Sequence, residues 1–148
     1  MAREISQAVT FDATPAVVYR ALVDPKHHAA MTGSRATNDG KVGGTFSAYD
    51  GYIVGFNVEL SKGNRIVQAW RANDWKEGAW SIACFELRAA GTGRTLLTFT
   101  QHGVPDANHK SISQGWKDFY WTPLGAWLGK RGKQPAKKAK AKARPKKK

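Results

Sequence analysis

Residues 111–128 read SISQGWKDFYWTPLGAWL. Ile112, Trp116, Phe119, Tyr120, Pro123, Leu124, Trp127 and Leu128 recur at steps of three and four, the period of one helix face. Ser111 and Gln114 have the spacing of a capping box, which predicts the helix start. Pro123 removes one backbone donor and crowds the carbonyl of Phe119, so a kink or break is expected between Phe119 and Pro123. Three Trp, one Tyr and one Phe fall within residues 116–127. So much aromatic surface needs a broad concave partner. Two readings follow: the helix closes a packed core, or it walls a ligand cavity.

The chain upstream supplies the concave partner. Arg3 to Phe11 alternates, with Ile5, Gln7, Val9 and Phe11 on one side, and reads as an edge or half-buried strand. Thr14-Pro15 is a helix start, with Thr14 as cap and Pro15 at the first helical position. That helix stops before Pro25, and Lys26 to Met31 forms a further short helical turn. Residues 33–44 read as a loop around Asn38-Asp39-Gly40. Five strands are then expected: 45–49, 52–60, 65–71, 79–88 and 94–102. In the second of them Tyr52, Val54, Phe56, Val58 and Leu60 share one face. Their connections are short, which implies an antiparallel meander. The expected fold is α+β: a curved antiparallel sheet of about six strands wrapped around a long C-terminal helix, with two short helices after the first strand. The helix is the one large apolar element left to cover the sheet.

Composition bounds the function. The chain has 148 residues, enough for one domain, and a formal net charge of +13. Eleven of its 24 Lys and Arg lie in residues 130–148, which hold no acid. The body, residues 1–129, is therefore nearly neutral. Residues 130–148 (KRGKQPAKKAKAKARPKKK) have nothing larger than Ala to bury, and they are expected to form a disordered basic tail. Within it Lys137, Lys138, Lys140, Lys142, Arg144, Lys146, Lys147 and Lys148 make a cationic block suited to polyanions. The block has no aromatic residue for base stacking. No apolar run approaches the ~18–20 residues that span a bilayer. The start, MAREISQAV, has no signal core, and the single Cys84 fits a reducing compartment, so the expected location is cytoplasmic.

The segments AMTGSRATNDGKVGGTFSAYDGYIVGFNVEL (30–60), RIVQAWRANDWKEG (65–78), TLLTFTQHGVP (95–105) and QGWKDFY (114–120) carry a resemblance. The run RIVQAWR, followed four residues later by a second Trp, and the Gly115-Trp116 pair are its most specific parts. The sequence resembles the heat-shock protein 90 ATPase activator (Aha-type) C-terminal-domain family, within the START-like, helix-grip superfamily. The resemblance implies a helix-grip fold over about residues 5–128. It tilts the role towards chaperone association, in a superfamily that also holds ligand carriers and cyclases. The eukaryotic activators carry a separate N-terminal domain that contacts the chaperone. This sequence starts at the first strand of the C-terminal type of domain, so that part is expected to be absent.

Three function classes follow. The first is a non-enzymatic domain binding a hydrophobic small molecule or a chaperone partner in the sheet–helix groove. Its expected lining is Phe56, Trp70, Trp80, Phe99, Trp116, Phe119, Tyr120 and Leu124, a mainly apolar and aromatic set. Trp70 and Trp80 are expected to meet across their hairpin. The second is a nucleic-acid-associated protein bound through the basic tail. The third is a START-like cyclase, which needs an acid and a base from Glu59, Glu86 or His102 inside the cavity. His27 and His28 are adjacent and so point to different faces, against metal ligation. Gly43-Gly44 and Gly91 with Gly93 precede strands rather than a helix, against a phosphate loop. No cofactor is expected.

Overall fold

Prolines and turn residues set where the chain reverses. The computed structural model, which describes residues 4–132, follows them closely. Strand β1 (Ile5–Phe11) leads into helix α1 (Pro15–Val23) and helix α2 (Pro25–Thr32). Both helices open on proline. The Thr14 hydroxyl caps the first by accepting from the Val17 amide. The Asp24 carboxylate caps the second by accepting from the Lys26 and His27 amides. Each cap satisfies donors that an isolated helix start leaves free.

Six strands follow: β2 (Thr37–Asn38), β3 (Thr45–Ala48), β4 (Ile53–Ser61), β5 (Arg65–Ala72), β6 (Ser81–Ala89) and β7 (Thr95–His102). They form one antiparallel sheet of seven strands in the order β1-β7-β6-β5-β4-β3-β2. This is one strand more than the sequence predicts. The addition is the two-residue β2, where Thr37 and Asn38 pair with Ser47 and Phe46 inside the expected loop. Two residues are too few to show alternation.

The inner face is set by a one-residue choice of register. On β5, β6 and β7 it carries Ile66, Gln68, Trp70, Ala83, Phe85, Leu97, Phe99 and Gln101, all buried. On β4 the buried residues are Ile53, Gly55 and Asn57, while Phe56 and Val58 are exposed. Val54, Phe56 and Val58 therefore lie on the outer face, while Tyr52 lines a cavity and Leu60, beyond the bulge, packs against the core, so the five do not share one face. Gly55 has a steric reason for facing in. A Cβ there would meet the Ala69 carbonyl and the Phe46 ring at 1.8 and 2.8 Å. Asn57 is buried because a polar network receives it. Its amide donates to Asn38 Oδ1 at 2.9 Å and accepts from Gln68 Nε2 at 3.2 Å. A register shift between Asn57 and Glu59 marks a bulge that bends the strand.

The aromatic helix lies across this face in three parts. A 3₁₀ turn (Asp106–Asn108) precedes α3 (His109–Trp116), a π-helical turn follows (Lys117–Trp121), and α4 runs over Thr122–Gly132. The expected capping box is absent. The Ser111 hydroxyl donates to the Asn108 carbonyl, and Gln114 reaches forward to Asp118. The 3₁₀ turn lets α3 start at His109, three residues earlier than a cap at Ser111 requires. The expected break near Pro123 takes the form of the π turn, where the Thr122 amide bonds five residues back to Lys117. The basic block Lys137–Lys148 and the expected tail lie outside the described residues.

Candidate binding groove

Two inner-face glutamines seat the helix. The Trp116 indole donates to Gln101 Oε1 at 2.7 Å, Gln101 Nε2 donates to the Ser81 hydroxyl at 2.9 Å, and Ser81 donates to the Trp70 carbonyl at 2.7 Å. Gln7 accepts from the Trp121 indole at 2.6 Å and donates to the Ser113 carbonyl at 2.9 Å. Every buried polar atom in these chains has a partner, which makes the seating specific as well as apolar. Around them Phe85, Phe99, Trp116 and Trp121 form a continuous aromatic core, with Phe99 and Trp116 centred 4.3 Å apart.

Contact is not closed along the whole helix. Between α3, β4, β5 and the β3–β4 turn lies a cavity of about 410 Å³. It is lined by Tyr49, Tyr52, Ile53, Trp70, Ser111, Ile112, Gly115, Trp116, Phe119 and Tyr120. No charged side chain belongs to that lining. Trp70 and Trp116 form its floor, 5.4 Å apart. Phe119, 58% exposed, and Tyr52, 43% exposed, stand at its mouth.

The mouth is held by a contact that Pro123 makes available. Proline has no N–H to give the carbonyl four residues back, and the Tyr49 hydroxyl donates to that Phe119 carbonyl. Tyr49 also packs edge-on against Phe119 and Tyr120, at 5.9 and 5.8 Å. Burial pushes its hydroxyl up to about 12, so it keeps its proton and remains a donor. Burial also raises Tyr120 well above the usual phenol range. The backbone of Tyr49 and Asp50 is left-handed, with φ of 51° and 56°. A non-glycine residue there is strained by about 1–2 kcal/mol. The Tyr49 ring contacts and the Asp50 amide's bond to the Arg35 carbonyl at 2.9 Å hold the turn in that form.

Of the eight residues expected in the groove, Trp70, Trp116, Phe119 and Tyr120 line the cavity. Phe99 and Leu124 are fully buried in the core beside it. Phe56 and Trp80 lie on the outer face, centred 5.8 Å apart, with the Arg71 guanidinium 5.7 Å over the Trp80 ring. Trp70 and Trp80 do not meet, because the register partner of Trp70 is Ser81. Trp70 packs instead, tilted, against Trp75 and Trp116. Tyr49 and Tyr52 were not expected in the groove. The Asp50-Gly51 turn signal between them places both beside the helix, and turn chemistry was the available clue.

The three groups of the cyclase reading do not converge. Glu59 and Glu86 both pair with Arg65 on the outer face, and His102 lies 3.3 Å from Glu4, with all of these side chains substantially exposed. Cys84 lies on the same face, where burial pushes its thiol up. Among the described residues no three His, Cys, Asp or Glu come together as metal ligands. None of the described helices is long and apolar enough to cross a membrane.

Comparison with known proteins bears on the whole body. The family model described as "Activator of Hsp90 ATPase homolog 1-like protein" matches residues 12–129. An activator of 90 kDa heat shock protein ATPase homolog from Dictyostelium discoideum is 34% identical over 107 residues, which is 72% of this chain and 28% of that protein. The human activator of 90 kDa heat shock protein ATPase homolog 1 is 28% identical over 126 residues, 85% of this chain and 37% of that protein. The chain thus spans about a third of the curated relatives it matches. The crystal structure of an HSP90 activator from Plasmodium falciparum superposes with a TM-score of 0.81 at 26% identity, covering 86% of this chain and 97% of that one.

Proposed function

The chain belongs to the Activator of Hsp90 ATPase homolog 1-like family, and on that premise we propose that it is a non-catalytic partner of an Hsp90-type chaperone, regulating the chaperone's ATPase. The observation that carries this reading is the family match over residues 12–129, which takes in every element of the groove. In this reading the contact centres on the groove mouth. Phe119 and Tyr52 offer aromatic surface there, from the π turn and from the turn that precedes β4. Aromatic anchors of this kind tend to dominate interface energetics. The body acts in the cytoplasm, where its chaperone partner would be met.

The test is the ATPase rate of a purified Hsp90-type chaperone titrated with this protein. A saturable change in rate supports the reading. No change in rate, together with no complex by sedimentation, removes it.

A further inference from the structure

The outer face of the sheet carries an exposed apolar patch that the groove does not use. We propose that this patch pairs with the same patch of a second copy of the chain, with the strands reversed, as a weak two-fold dimer. This goes beyond the chaperone reading and does not depend on it.

Placement comes first. Seven large apolar side chains are exposed among the described residues, and four of them, Phe56, Val58, Trp80 and Ile82, lie on this one face. Register gathers them. On β5, Ala69 lies between Phe56 and Ile82, and Val67 lies between Glu59 and Cys84. Val67 and Ala69 are buried although they stand apart from the core. Their neighbours on β4 and β6 therefore rise above them. Single exposed apolar residues need no explanation, but a contiguous patch on the order of 300 Å² is the scale of an interaction site.

Shape comes second. Phe56 and Trp80 are centred 5.8 Å apart, and β5 runs between their strands, so the two rings meet above Ala69. That is the high end of the patch. The end around Val67 carries the smaller Val58 and Cys84 and is lower. A two-fold axis crossing the strands level with Gln68 sets the high end of each copy on the low end of the other. It places Ala69 opposite Val67, and Ile82 opposite Cys84, of the second copy. Sheets that pack face to face keep their strands within about 30° of each other, which allows this arrangement.

Charge comes third and selects the reversed direction. Arg71 stands at the high end, its guanidinium 5.7 Å over the Trp80 ring. It donates to the carbonyls of Ala72, Trp75 and Lys76 and pairs with no carboxylate among the described residues. At the low end Arg65 is shared by Glu59 and Glu86, two carboxylates to one guanidinium, which leaves an excess negative charge. Reversed strands set Arg71 of each copy against that excess. Parallel strands would set Arg71 on Arg71. An isologous interface makes each such contact twice, so both ends gain. Contact over three strands amounts to roughly 500 Å² per copy, the scale of a weak, reversible association.

Sedimentation velocity of the full chain tests this, at concentrations from about 1 to 300 µM, where a weak dimer titrates. The expected result is a dimer that forms as concentration rises. Ile82→Lys and Val58→Lys each place an unpaired charge inside the interface and are expected to weaken the dimer at least tenfold. Glu59→Lys turns attraction to Arg71 into repulsion at both ends, with an expected weakening of about tenfold. All three positions are exposed, so folding is expected to survive, and circular dichroism checks it. Phe119→Ala, at the groove mouth on the other side of the sheet, is expected to leave the dimer unchanged. A monomer throughout that range overturns the proposal. So does a dimer that persists in both folded Ile82→Lys and Val58→Lys variants, one insensitive to Glu59→Lys, or one lost on Phe119→Ala.

Discussion

The indole of Trp116 donates to the side-chain carbonyl of Gln101, at 2.7 Å, across the interface between helix and sheet. Both residues are almost wholly buried, so neither has water as a substitute partner. Through Ser81 the same chain of bonds ends on the Trp70 carbonyl. The floor of the cavity is thus tied together by polar bonds as well as by ring contact.

Gln101→Leu leaves the Trp116 N–H buried without an acceptor and removes a donor from Ser81. The expected loss is roughly 2–4 kcal/mol, from the ~1–3 kcal/mol cost of each orphaned buried group. Urea unfolding measures it. A loss below ~0.5 kcal/mol would show that the network does not hold the helix.

Tyr49 and Pro123 are expected to be coupled. Tyr49→Phe removes the donor to the Phe119 carbonyl and costs about 1 kcal/mol. Pro123→Ala returns a backbone N–H that competes for that carbonyl, so Tyr49→Phe costs less in that background. A double-mutant cycle reads the difference. Additive effects would contradict a shared acceptor.

His28 is buried with its Nδ1 unpartnered, and its ring lies edge-on to Tyr120, 5.4 Å away. Burial lowers its pKa from 6.5 to about 4. The folded state then binds fewer protons than the unfolded state between those values, so stability falls as pH drops from 6.5 towards 4. The full effect is on the order of 3 kcal/mol. His28→Leu is expected to remove this part of the acid sensitivity. Parallel pH–stability curves for the two proteins would refute it.

The fold was legible because its signals are local. Thr14-Pro15 and the three- and four-residue recurrence of residues 112–128 each identify an element without reference to its neighbours. The choice of sheet face was not legible. In β4 the apolar alternation of Val54, Phe56 and Val58 has the period of a strand, and the period alone does not say which face is buried. Gly55 and Asn57 face inward because of Phe46 and Gln68, which come from neighbouring strands. For the same reason Trp70 and Trp80 fall on opposite faces. In the groove, the helix side was readable from its aromatic stripe. The turn side, Tyr49 and Tyr52, depended on where the hairpin sits against a π turn, and propensity does not report that.

The most direct test of the central claim is the affinity of an Hsp90-type chaperone for this protein and for its Phe119→Ala and Tyr52→Ala variants, measured by calorimetry with thermal melts alongside. Both residues are substantially exposed, so melting is expected to change little. The account predicts a saturable complex, weakened about tenfold or more by each variant, the scale of an interface anchor worth ~1.4 kcal/mol. Absence of a complex, or one that both variants form as tightly as the parent, would contradict it.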